Sequence, residues 1–224
     1  MPDLFKTTLA EAIPPFVLAL DVGSTATRGC LYDASGLPIA GSKLRLAHSF
    51  TTASDGTSTI DPDEIVAEVA QIIDFATEAA QGKRISGVAI DTFSANLVGV
   101  DAQGQAHTPC YTYADSRCAT QVEQLRATFD EAEVQQRTGT RFHSSYLAPR
   151  FLWLRESEPE LFDAVDRWMA LGEYVYLKLL GVTAIGTAGA AWTGLLNRHT
   201  GEWDSVLLEH CGVRVEQMGE VRDP

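Results

Sequence analysis

Apolar residues from Phe16 to Leu20 run into the polar stretch Asp21-Val22-Gly23-Ser24-Thr25. A short apolar run closed by turn residues reads as a strand. Further strands are predicted at Thr27–Tyr32 and Pro38–Leu46, joined through Asp33-Ala34-Ser35-Gly36, a turn sequence. Three strands with short links predict an antiparallel meander. Residues 1–15, ending in Pro14-Pro15, read as a loose lead-in, and residues 47–60 as a polar loop rich in Ser and Thr.

The period then changes. Asp61-Pro62-Asp63-Glu64 is a helix start: Asp61 can cap, Pro62 suits the first turn, and Glu64 lies three residues after the cap. Ile65, Val69, Ile72 and Ala76 recur at helical spacing, widened by Val66 and Ile73, up to an end near Gly82. Ile85–Asp91 reads as a central strand and Leu97–Asp101 as another. Helices follow around 115–127, 130–137, 148–156, 159–165 and 173–180, with a short strand at Trp168–Leu171. Gly181 stops the helix before it. Ala184–Gly194, rich in Gly, Ala and Thr, reads as a close-packed connection. Asp204 caps a last helix ending near Gly212. The order predicts an α/β layered fold with a mixed sheet. G-x-G-x-x-G and P-loop signatures are absent, which argues against both common nucleotide-binding folds.

At 224 residues and 45% hydrophobic content, the chain suits one large domain. The net charge of −13 disfavours nucleic acid and anionic membranes as partners, although a local site can still be positive. No apolar run has transmembrane length, and residues 1–15 lack the pattern of a signal peptide. Cys30, Cys110, Cys118 and Cys211 form no C-x-x-C pair, so reduced thiols in the cytoplasm are expected. The five histidines are scattered and give no zinc-ligand spacing.

The first turn carries the candidate chemistry. Ser24 and Thr25 can offer hydroxyls and backbone N–H groups to phosphate oxygens, Asp21 can hold Mg²⁺, and Arg28 can supply a fixed positive charge. Gly23 would permit the turn. An ordinary hairpin turn, with Asp21 and Arg28 as a simple ion pair, is the competing reading.

The β-β-β-α-β order with a D-x-G-S/T-T loop resembles the actin-like ATPase superfamily, with its ribonuclease H-like fold. Later segments resemble the FGGY carbohydrate kinases in order along the chain. Gly87–Asp101 is similar to their sugar-site strand, and Tyr111-Thr112-Tyr113-Ala114-Asp115-Ser116-Arg117 to their W-x-D-x-R segment. Arg137-Thr138-Gly139-Thr140 resembles the R-T-G segment, and Gly172-Glu173-Tyr174-Val175-Tyr176-Leu177 the K/G-D/E-Y-L helix. Thr193-Gly194-Leu195-Leu196 and Gly201-Glu202-Trp203-Asp204 are similar to G-T-x-L-L and x-x-W-D. The flavour is that of the gluconate kinase-like or xylulokinase-like branch.

The resemblance implies ATP-dependent phosphorylation of a hydroxyl on a sugar, polyol or sugar acid, with ATP and Mg²⁺ as cofactors. It places Asp21 at the metal and γ-phosphoryl group, Gly23, Ser24 and Thr25 in the phosphate loop, and Arg28 near the transferred group or bracing the loop. Ser94, Ala95, Tyr113, Asp115 and Tyr146 would line the sugar site, with His143 nearby. Packing is the competing role for Tyr113, Tyr146 and His143, and helix capping for Asp115. Two departures stand out. Ser94-Ala95 replaces the usual aromatic or Met followed by His, or Arg-Glu. The family's catalytic Asp, in a G-D-x-x-x segment, has no counterpart before Asp223-Pro224. The expectation is therefore a first domain spanning 16–224, partnered by a C-terminal ATP-binding domain outside this chain and inactive alone. Its uncovered apolar surface predicts self-association into a homodimer. A non-enzymatic sugar- or phosphate-binding module derived from such a half is the alternative. An aspartyl phosphatase would want a second Asp where Gly23 stands, and a dehydratase-activating ATPase would want a cluster-binding Cys pattern.

Overall fold

The computed structural model describes residues 6–223. In chain order its elements begin β1 (Phe16–Val22), β2 (Ala26–Tyr32), β3 (Leu44–Ala47), β4 (Thr51–Thr52), β5 (Ser58–Ile60), α1 (Pro62–Ala79), β6 (Ile85–Thr92), β7 (Val98–Val100) and β8 (Cys110–Tyr111). They continue with α2 (Ala119–Thr128), α3 (Glu131–Thr138), α4 (Leu147–Ser157), α5 (Pro159–Ala164), β9 (Arg167–Met169), α6 (Leu171–Leu180), β10 (Ala184–Ile185), α7 (Thr187–Ala191), β11 (Leu196–Asn197), β12 (Glu202–Trp203), α8 (Ser205–Cys211) and β13 (Glu220–Val221). The chain forms two compact units. One comprises the described part of Met1–Ser49 with Asp63–Phe93; the other comprises Phe50–Pro62 with the described part of Ser94–Pro224.

The first unit is a four-stranded mixed sheet in the order β3-β2-β1-β6. The meander β1-β2-β3 is antiparallel and β6 runs parallel to β1. Along β1, Phe16, Leu18, Leu20 and Val22 are buried and alternate with Val17, Ala19 and Asp21. The α1 stripe of Ile65, Val69, Ile72 and Ala76 is fully buried. Gly29 lets helix and sheet approach: a Cβ there would stand 2.2 Å from Ile72 Cγ2 and 3.1 Å from Leu20 Cδ2. Burying Ile65, Val69 and Ile72 contributes about 1.5–3 kcal/mol for each, beside the equally buried Phe16, Leu18 and Leu31 of the sheet.

Several details differ from the sequence expectations; among them, Ala184–Gly194 is not a bare connection but holds β10 and α7. The third strand is shorter than Pro38–Leu46, because Gly41 takes a left-handed backbone (φ 81°) and the Ser42 hydroxyl binds the Ile39 carbonyl at 2.7 Å. The polar stretch 47–60 contains the hairpin β4-β5. Strand β6 is an edge rather than a central strand of the described sheet, and Val88 is 55% exposed. The lead-in is also tied down where it is described. Thr7 bridges to Ile39, and Ile13 N–H donates to Asp33 Oδ2 at 3.1 Å.

The second unit is mainly helical and is built around Phe151, Phe162, Trp168, Leu125, Leu154 and Leu207. Here the motif segments find physical roles. Arg137 Nε donates to Asp204 Oδ2 at 2.8 Å, and Asp204 Oδ1 caps α8 through Leu207 N–H, so the R-T-G and W-D segments meet in one half-buried contact. Glu173 Oε2 accepts the Ala170 N–H at 2.7 Å and closes the first turn of α6. Among the described residues, no helix is long and apolar enough to cross a membrane.

Candidate functional site

In the first unit the β1–β2 turn stands on a buried polar support. Gly23 N–H donates to the Ala26 carbonyl at 3.0 Å. Gly23 has no unusual φ but sits in a crowded turn: a Cβ would meet Arg28 Nη1 at 3.3 Å and Ala26 O at 3.4 Å. Beneath the turn lies His48, a residue the sequence reading did not single out for this role; its side chain is 1% exposed. His48 Nε2 is 2.9 Å from the Gly23 carbonyl and Nδ1 is 2.9 Å from Glu68 Oε2, which also accepts the Thr27 hydroxyl at 2.5 Å. The separations of 20 and 25 residues hide this grouping from any local pattern.

Asp21 and Arg28 lie opposite each other in the β1–β2 register and form an exposed ion pair at 2.9 Å. Asp91, missed in the sequence as a site residue, pairs with Asp21 in the parallel β1–β6 register. Paired positions on neighbouring strands share a face, so two exposed carboxylates stand side by side. That hard oxygen pair fits Mg²⁺, which typically takes one or two carboxylates and completes its shell with phosphate and water oxygens. Among the described residues no cluster of three or more His, Cys, Asp or Glu could hold a metal unaided. Asp21 and Arg28 also edge a cavity of about 490 Å³ lined by Lys6, Tyr32, Ile39 and Lys43.

The second unit carries a separate cavity of about 330 Å³, lined by Ser94, Ala95, Tyr113, His143, Ser145, Tyr146 and Trp192. The structure therefore brings together four of the five sugar-site residues expected from the sequence, and His143 with them. Ala95 has φ 54°, a left-handed backbone that alanine seldom adopts. His143 Nδ1 accepts the Ser145 N–H at 3.1 Å, which leaves Nε2 as the proton-bearing nitrogen in the neutral ring. The Ser145 hydroxyl donates to the Tyr113 carbonyl at 2.9 Å and ties two lining segments together. Trp192, 57% exposed, adds an aromatic wall; the surrounding Gly, Ala and Thr gave it no periodic signal.

Asp115 is not brought to this cavity. Its buried carboxylate accepts Ser58 N–H at 3.1 Å and Arg117 Nη2 at 2.7 Å, and Oδ1 accepts Arg117 N–H ahead of α2. Arg117 lies over the Trp153 ring at 4.2 Å. The D-x-R pair here is a brace between β5 and the β8–α2 turn.

The mixed β-β-β-α-β sheet with its polar first turn defines an actin-like ATPase fold of the ribonuclease H-like type. Comparison with known proteins narrows the class. The model of the FGGY family of carbohydrate kinases, N-terminal domain, matches residues 16–224, and the chain belongs to that family. It is 23% identical over 206 residues to a gluconokinase of Bacillus subtilis (strain 168), covering 92% of this chain and 40% of the relative. It is 28% identical over 221 residues to a glycerol kinase of Gloeobacter violaceus, covering 94% and 42%. The solved gluconate kinase of Lactobacillus acidophilus superposes with a TM-score of 0.87 at 27% identity, covering 93% of this chain and 42% of that one. The chain thus spans 40–42% of the length of these relatives.

Proposed function

We propose that this chain supplies the acceptor-binding and phosphate-loop portion of an ATP-dependent carbohydrate kinase acting on a hydroxyl of a sugar, polyol or sugar acid. The observation that carries the reading is the cavity lined by Ser94, Ala95, Tyr113, His143, Ser145, Tyr146 and Trp192. Aromatic faces suit the C–H faces of a polyol, while the His143 Nε2–H and the Ser94 and Ser145 hydroxyls suit its oxygens. The small Ser94-Ala95 pair leaves room for the acceptor instead of contacting it through a long side chain. Asp115 acts indirectly, through the brace described above.

At the first turn, Asp21 and Asp91 would hold Mg²⁺, and the N–H and hydroxyl groups of Ser24 and Thr25 would meet phosphate oxygens. Arg28, now paired with Asp21, would turn its charge toward the transferred group. Bound Mg-ATP supplies the phosphoryl group and neutralises its charge. What these residues contribute is position and fixed charge. We assign the base that accepts the hydroxyl proton to a further, C-terminal kinase domain, so this chain alone would bind nucleotide weakly and turn over negligibly.

Thermal unfolding with D-gluconate, D-xylulose or glycerol, each with and without Mg-ATP, tests the reading. One acceptor should raise Tm in a saturable way by mass action. Flat Tm values across the panel would contradict it, as would robust turnover by the isolated chain for the division of labour.

A further inference from the structure

Arg150 lies on α4 and is 1% exposed, one of the largest fully buried side chains. A guanidinium carries five N–H donors in a planar fork and remains charged in proteins. Here that charge is met by backbone carbonyls. Nη2 donates to Thr112 O at 2.8 Å and to Ser144 O at 3.3 Å, with Asp115 O at 3.5 Å. Nη1 reaches Ala95 O and Tyr111 O, both at 3.5 Å. The nearby Asp115 carboxylate is engaged by Arg117. Burial lowers the pKa of the Arg150 guanidinium, opposed first by Cys118 and then by Asp115.

These carbonyls share a location. Ala95 lines the acceptor cavity, Thr112 precedes the lining residue Tyr113, and Ser144 sits between the lining residues His143 and Ser145. The segments lie 55, 38 and 6 residues from Arg150 in the chain. A side chain needed only to fill the core would do so without a charge, since burying one is costly. A cation with several donors gathers carbonyl dipoles that otherwise repel one another. It also bonds the carbonyl of the one lining residue with a left-handed backbone, Ala95.

We propose that Arg150 is the positioning residue of the acceptor pocket, fixing the backbone of three lining segments from below without touching the acceptor. The proposal rests on the acceptor reading of that cavity.

The test uses Arg150→Met and Arg150→Lys in the full 224-residue chain. Amide hydrogen exchange is followed at 94–96, 112–116 and 143–146 and compared with α3 and α8. The dissociation constant is measured for whichever of D-gluconate, D-xylulose or glycerol stabilises the wild type. Arg150→Met should accelerate exchange at the three segments by about tenfold or more, well beyond the change in α3 and α8, and weaken acceptor binding by about tenfold or more, the scale of lost charge-assisted hydrogen bonds. Arg150→Lys keeps the charge but not the fork, so it should fall between wild type and Met; it also carries the test if Arg150→Met does not fold. Uniform loss of protection across the unit overturns the proposal, because it marks a purely structural role. So does unchanged acceptor affinity with loosened segments. A wild type that no acceptor stabilises overturns the pocket assignment itself, a failure read without any variant, and the positioning role falls with it.

Discussion

Each unit supports its candidate site with buried charge, in opposite ways. Under the β1–β2 turn, His48 and Glu68 are partners in one chain of hydrogen bonds that ends on the Gly23 carbonyl. In the helical unit Asp115 and Asp204 are paired with Arg117 and Arg137, but two other buried charged groups lack such partners. Arg150 faces carbonyls with its Nε unbonded, and Glu173 holds one N–H bond while Oε1 has no partner. A paired buried charge is costly to break, whereas a solitary one is a liability that position or function must justify. Mutations should therefore destabilise the first arrangement, and neutralisation should stabilise the second wherever the charge has no positioning task.

The largest effect is expected at Glu173. Burial raises its pKa to about 7, against the opposing Ala170 N–H bond. A raised acid pKa means stability is greatest below the unfolded value, falls as pH rises through about 7, and levels off above it. Glu173→Gln keeps an acceptor for Ala170 and removes the charge. It should gain on the order of 3 kcal/mol at pH 8 and almost nothing at pH 4. Denaturant melts at the two pH values check this; parallel wild-type and variant pH profiles would show that the charge costs nothing.

Next is His48→Ala, which leaves the Glu68 carboxylate and the Gly23 carbonyl short of a donor. A loss of about 2–3 kcal/mol is expected. Exchange should quicken at residues 22–25 and stay unchanged at 94–96 and 143–146. Equal loosening at both places would erase the distinction between the two supports.

The smallest stability effect belongs to Trp192→Ala. An exposed aromatic ring should cost no more than about 0.5 kcal/mol, while acceptor affinity drops by about tenfold, as for an aromatic anchor. Calorimetric titration set beside a thermal melt separates the two quantities.

Much of the fold was legible because its signals are local. The Asp61-Pro62-Asp63-Glu64 start, the Ile65-Val69-Ile72 stripe and the Asp204 cap each lie within a few residues and correspond to α1 and α8. The shortened β3 was not legible, because one left-handed glycine and one serine hydroxyl end it from within an apolar run. Strand β6 read as central because Ile, Val and Ala dominate it, yet composition does not say which edge of a sheet a strand occupies. Of the residues lining the helical unit's cavity, Ser94, Ala95 and Tyr113 came from ordered motifs and Tyr146 from its place along the family's order. Asp115 came from the same motifs, but its carboxylate is engaged by Ser58 and Arg117. His48, Asp91, Arg150 and Trp192 depend on tertiary neighbours far along the chain and had no local signature of a site role.

The most direct test of the account is residue-resolved NMR during titration with the stabilising acceptor. Saturable shifts should concentrate at 94–95, 113, 143–146 and Trp192, with residues around Tyr32 and Lys43 unmoved. Shifts centred instead on the cavity beside Tyr32 and Lys43, or none at saturating acceptor, would contradict the assignment of the helical unit's cavity to the sugar.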